Sequence, residues 1–241
     1  MRPPPEIQAL AFDAYGTLFD LRPLGTLCQE LFPGRGAELG RLWRAKQVEY
    51  AWLLTLTGLY EDFWHVTDAA LTFACRALGL SCPSATRDRL MDAYLHLRPY
   101  PDVIPALKAL SEFTLVIVSN GTPQMLHAAV ARAGLEGMFS HIISVEEAKA
   151  YKPSPQAYRL ACQKTGLDKD RIGFVSSNAW DVIGAKAFGY WTCWVNRDDS
   201  PGEELGFVPD LTVLSLPELA EHTTPTFSRR EDAPCSRQGS G

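Results

Sequence analysis

The chain has 241 residues, 46% of them hydrophobic, enough to bury a sizeable core in one large domain or in a core domain carrying an insert. Its formal net charge is -5 and no run of Lys or Arg breaks that balance, so it offers no field for a nucleic-acid backbone. Asp13 interrupts the first apolar stretch and no apolar run reaches membrane length, which excludes a signal-peptide core and a spanning helix and predicts a cytoplasmic protein with no membrane partner.

Ile7 to Phe12 is a short apolar run of β-formers closed by Asp13 and Gly16, the pattern of a buried strand ending at a turn. From about Leu21 to Arg98 the period becomes helical: Leu39, Leu42, Trp43, Lys46, Tyr50, Leu53 and Leu54 recur at three-to-four spacing, as do Phe63, Val66, Ala70, Phe73 and Ala77. That stretch predicts a helical module without strands.

After Pro99 and Pro101 helices and strands alternate. Helices are expected at Val103 to Leu110, Pro123 to Ala133, Pro155 to Thr165 and Asp181 to Phe188, the last three closed by Gly134, Gly166 and Gly189. Strands are expected at Thr114 to Val118, His141 to Ser144, Ile172 to Val175 and Thr192 to Val195. The implied fold is α/β, a doubly wound, parallel, Rossmann-like sheet carrying an inserted helical cap. Its core takes residues 1–20 and 99–222 and its cap 21–98, with a polar, proline-containing tail expected to be disordered over 223–241.

The six cysteines form no C-x-x-C pair and the five histidines no helical metal pair, so neither a disulfide frame nor a zinc site is indicated. The chemistry gathers instead at strand ends, with Asp13 after the first, Ser119-Asn120 after Val118 and Ser176-Ser177-Asn178 after Val175. A lone Asp before a glycine turn is more often a turn cap than a nucleophile. Here it keeps company with D-A-Y-G-T-L-F-D from Asp13, V-S-N from Val118, Y-K-P from Tyr151 and V-S-S-N-A-W-D from Val175.

Those motifs, in that order, resemble the haloacid dehalogenase superfamily and within it the L-2-haloacid dehalogenases, from about Ile7 to Leu219. The resemblance implies Asp13 as nucleophile, forming an ester that water hydrolyses. Phosphatases of that superfamily place further acids at the positions of Tyr15 and Ser177, where they complete a magnesium site. Two carboxylates beside a phosphate dianion repel it by roughly 4 kcal/mol per charge pair at about 4 Å and an effective dielectric of about 20, so a metal must offset them. A 2-haloacid has an uncharged reacting carbon and a leaving group that needs no proton, and no metal or other cofactor is expected.

By the same resemblance Arg44, in W-R-A-K-Q, receives the halide with Asn120 and Phe63, while Ser119 and the turn amides of Ala14 and Tyr15 hold the substrate carboxylate. Thr17, Lys152 and Tyr158 order the nucleophile, and Ser176, Asn178 and Asp181 surround the hydrolytic water, with Asp181 or Lys152 as its base. Trp180 and Tyr15 supply apolar walls. Ala45 departs from the larger polar residue of similar enzymes, which leaves chain-length preference open. The expected partner is a small 2-haloacid, with a homodimer suggested through Trp52, Leu53, Leu54 and Leu56. The rival readings are a phosphatase of the same fold and a non-catalytic binding module; a serine hydrolase lacks its G-x-S-x-G.

Overall fold

The computed structural model describes residues 6–223, so Met1–Pro5 and the expected tail lie outside the described residues, apart from Thr223, which closes the last helix. Strand β1 (Ala9–Phe12) is buried at every position. A strand with no polar side chain is stable only where apolar layers cover both of its faces, and β1 is accordingly central. It lies in a six-stranded parallel sheet of order β3-β2-β1-β4-β5-β6, made with β2 (Thr114–Ser119), β3 (His141–Ser144), β4 (Ile172–Ser176), β5 (Trp191–Val195) and β6 (Leu211–Val213).

The chain winds from β1 outward through β2 and β3, then crosses back to β4, β5 and β6 on the other side, so the winding reverses at β1. In open parallel sheets such a reversal leaves a crevice at the carboxyl ends of the strands, where ligands bind. Phe12 is in register with Ile117 on one side and Val175 on the other, which brings Asp13, Ser119-Asn120 and Ser176 to the same edge. The expected doubly wound sheet is the observed one.

The strandless stretch after β1 folds as α1 (Arg22–Leu31), α2 (Gly36–Thr57), α3 (Phe63–Ala77) and α4 (Ser84–Ala93). Helix α2 stops because Gly58 adopts φ 70°, a left-handed conformation that costs a residue with a Cβ dearly. Helix α3 starts where the Asp62 side chain caps the amide of His65. Helices α5 (Val103–Ala109), α6 (Pro123–Arg132), α7 (Pro155–Thr165), α8 (Ala179–Phe188) and α9 (Leu216–Thr223) accompany the strands. The pattern in the sequence does not announce β6 or α9. The strand is only three residues long, with Thr212 exposed between two buried neighbours, too short to show a period.

Aromatic side chains join the inserted helices to the sheet. Tyr151 is wholly buried; its amide donates to Thr55 Oγ1 at 2.9 Å and its hydroxyl to the Glu61 carbonyl at 2.5 Å, so the end of α2 and the start of α3 are tied above the strand ends. Burying a tyrosine without such partners would leave an unsatisfied hydroxyl. Arg197, after β5, donates to the Thr17 carbonyl at 3.0 Å and to Asp102 at 2.8 Å, pinning the turn that follows β1.

Candidate active site

The turn after β1 shapes the site first. Gly16 at φ +90° allows the chain to reverse, and the amides of Gly16, Leu18 and Phe19 are spent on carbonyls within the turn. The amides of Ala14 and Tyr15 are not spent in this way and remain to meet an anion. Asp13, 5% exposed, stands at the foot of this turn. Its Oδ2 accepts from Thr17 Oγ1 and from Asn178 Nδ2, each at 2.9 Å, and its Oδ1 accepts from Lys152 Nζ at 2.7 Å. Both lone pairs of Oδ2 are therefore occupied, whereas Oδ1 retains one for an incoming electrophile.

Lys152 spends all three ammonium protons within the protein, on Asp13, on Asp181 Oδ2 at 2.6 Å and on the Val118 carbonyl at 3.1 Å. Burial alone would lower its pKa, but the two carboxylates outweigh that and hold it above the ordinary lysine value. Asp181 is wholly buried, and burial pushes its carboxyl up to about 6 even though Lys152 and Tyr158 favour the ionised form. Its Oδ1 accepts from Tyr158 at 2.8 Å and its Oδ2 also accepts from Ser176 Oγ at 3.1 Å. Burial, followed by the charge of Asp181, keeps the Tyr158 hydroxyl well above its usual pKa, so it serves as a donor.

A tight chamber, its free volume only about 10 Å³, lies over Asp13. Tyr15, Phe63, Ser119, Asn120, Lys152, Asn178 and Trp180 border it, with Arg44 and Val48 coming down from α2. Asn120 Oδ1 accepts the Lys152 amide at 3.0 Å, so the group it can offer a ligand is its NH2. Ser119 Oγ accepts from the Gly121 amide at 3.2 Å and keeps its own proton to donate. Trp180 meets Trp52 edge-to-face at 5.8 Å across the mouth. Next door, sharing Arg44, Val48, Asn178 and Trp180, lies a larger, mainly apolar cavity of about 790 Å³ that Ala45 also lines.

The expected residues thus divide in two. Asp13, Tyr15, Arg44, Phe63, Ser119, Asn120, Lys152, Asn178 and Trp180 face one chamber. Thr17, Tyr158, Ser176 and Asp181 stand behind it: Thr17 bonds Asp13, Asp181 bonds Lys152, and Tyr158 and Ser176 bond Asp181, while Ala14 is buried with only its amide to offer. Sequence reasoning missed Val48, Gln47 and Thr67. Gln47 and Val48 lie three and four residues from Arg44, one helical turn along the same face, a spacing that would have found them. Among the described residues no group of three or more His, Cys, Asp or Glu could hold a metal ion.

A carboxylate, a lysine and an amide-lined turn at the winding reversal of a parallel sheet, roofed by an arginine, define a small-molecule α/β enzyme. A family model described as haloacid dehalogenase-like hydrolase matches residues 7–189, and the chain belongs to that family. It is 48% identical over 217 residues to an (S)-2-haloacid dehalogenase of Pseudomonas sp. (strain YL), a match covering 89% of this chain and 94% of the relative. A haloacetate dehalogenase H-2 of Moraxella sp. (strain B) is 47% identical, covering 86% of this chain and 94% of that one. Among solved structures, the L-2-haloacid dehalogenase of Xanthobacter autotrophicus with chloropropionic acid covalently bound superposes with a TM-score of 0.83 at 37% identity, covering 89% of this chain and 97% of that one.

Proposed function

We propose that the protein is an (S)-2-haloacid dehalogenase, hydrolysing L-2-haloacids and haloacetates to 2-hydroxy acids with inversion. The observation that carries this is the single chamber holding the Asp13 carboxylate beneath the Arg44 guanidinium. Asp13 Oδ1 displaces halide from C2: a carbon-oxygen ester bond forms, the carbon-halogen bond breaks, and the halide leaves with its electron pair toward Arg44, Asn120 and Phe63. Negative charge travels from one side of the chamber to the other, so a fixed cation at the far side stabilises the transition state more than the ground state. Ser119 and the amides of Ala14 and Tyr15 hold the substrate carboxylate.

Water then attacks the carbonyl carbon of the Asp13 ester, and the 2-hydroxy acid departs with its C2-oxygen bond intact. Thr17 and Asn178, which hold Oδ2, offset the charge that develops on the ester carbonyl. Lys152, beside the ester oxygen Oδ1, hands a proton to the departing alkoxide and is recharged from the attacking water, whose second proton is taken up by Asp181, ionised at neutral pH. Thr17, Asn178, Ser176 and Tyr158 keep the two carboxylates in place. The core of residues 1–20 and 99–222 supplies the nucleophile and the cap of 21–98 the halide cradle.

Halide release from a series of 2-haloacids running from chloroacetate to 2-bromohexanoate, with and without a chelator, tests this reading. Release is expected with the chelator present, because Tyr15 and Ser177 stand where a metal-dependent phosphatase needs acids. The longer acids are expected to turn over as well, their chains passing Ala45 into the adjoining apolar cavity. Silence toward every member would overturn the reading, and loss of activity on chelation would favour a phosphatase.

A cytoplasmic location is part of this proposal; separately, no described helix is long and apolar enough to cross a membrane. A homodimer is supported by Leu53, Leu56 and Leu59, which stand 48%, 83% and 67% exposed around the end of α2. Light scattering is expected to give twice the chain mass; a monomeric mass would exclude it.

A further inference from the structure

Arg44 is aimed by a relay that has no charge of its own. Gln47, one turn along α2 and wholly buried, accepts from Arg44 Nη1 on its Oε1 at 2.5 Å. Its Nε2 donates to Thr67 Oγ1 at 2.7 Å, and the Thr67 hydroxyl donates in turn to the Phe63 carbonyl at 2.6 Å. Because that hydroxyl proton is committed to Phe63, Thr67 can only accept from Gln47. The amide is thereby locked with its oxygen toward the guanidinium, since a flip would set NH2 against the Arg44 donor and the amide oxygen against the Thr67 lone pairs. The relay also joins two walls of the chamber, Arg44 on α2 and Phe63 on α3.

Among the described residues Arg44 makes no ion pair, although Asp13, Asp181 and Lys152 are all paired a few residues away in space. A glutamate at position 47 could still accept from Arg44 but would have no proton to give Thr67, and its charge would neutralise the guanidinium and compete with an incoming anion. We infer that Gln47, oriented by Thr67, is a positioning residue that holds Arg44 in the halide-receiving pose while leaving its positive charge unspent. This rests on Arg44 being the halide cradle of the proposed reaction.

Chloride binding, followed by broadening of the chlorine-35 resonance, reads the cradle without turnover, so its failure is separate from a failure of the haloacid series. Q47E is expected to weaken chloride binding about tenfold, the scale of one charge-assisted hydrogen bond, and the binding is read at a temperature where circular dichroism shows the variant folded. Its rate should fall more for 2-chloropropionate than for 2-iodopropionate, because the poorer leaving group depends more on the cation. T67A, which frees the amide to flip, should lose part of the chloride affinity and T67S should restore it. Wild-type chloride affinity in a folded Q47E, or failure of T67S to recover what T67A loses, would overturn the inference.

Discussion

Asparagine in place of Asp13 is expected to abolish turnover, by about 10⁴-fold or more, the usual cost of removing a nucleophile on which the other groups act. The fold should survive. Asn can still accept from Thr17 or Lys152, and the exchange removes one of two negative charges flanking a single buried ammonium. The decisive measurement is a single turnover of the wild-type enzyme in heavy-oxygen water. If water attacks the ester carbonyl, the label enters the Asp13 carboxylate first and is found in the peptide that contains it. Label confined to the product would mean that water attacks the substrate directly, and Asp13 would then have to be reread as a base.

Methionine at Lys152 is expected to cost both activity and stability. With the ammonium gone, Asp13 and Asp181 face each other nearly buried and unneutralised, a loss of about 3–5 kcal/mol for breaking a buried pair on one side. The loss is read from denaturant unfolding. Its pH dependence has a definite sign. In the wild type Asp181 has its carboxyl raised from 3.8 to about 6, so between those values the folded protein binds more protons than the unfolded chain. The penalty for burying this carboxylate therefore grows as pH rises through that window and is complete above it. Without Lys152 the carboxyl rises further, the window extends upward, and the deficit of K152M should shrink on acidification and be largest in alkali. Activity should fall about 10²-fold or more, as for loss of a proton-transfer group. A variant with wild-type stability at every pH would contradict the charge arrangement described here.

The fold was readable because its signals are local. An apolar run such as Ile7 to Phe12, closed by an acid and a glycine, has few outcomes other than a buried strand, and glycines after Ala133, Thr165 and Phe188 end helices wherever the chain turns left-handed. Where the local signal was thin the reading failed, as at β6, whose three residues gain their strand character from pairing with β5. Helix α8 begins at Ala179, two residues before Asp181, because Asn178 rather than the motif's acid ends the loop.

The site divides along the same line. Asp13 at a strand end, and Tyr15 and Ser177 in place of acids, are statements about residue identity at known positions in a motif, and identity is what a sequence holds. Distances between remote residues are not. Lys152 reaches Asp13 across 139 positions of chain, and only the sheet's winding sets its nitrogen 2.7 Å from that carboxylate and 2.6 Å from Asp181. Likewise no pattern in the chain says that Asp181 is withdrawn behind Lys152, or that Thr67 turns Gln47 and Gln47 turns Arg44. Those roles follow from which donors are already taken, and a hydrogen bond is taken only once the helices of the insert have packed over the strand ends. The candidate residues could thus be named from the chain, while their division into those that face the chamber and those that stand behind it was decided by packing.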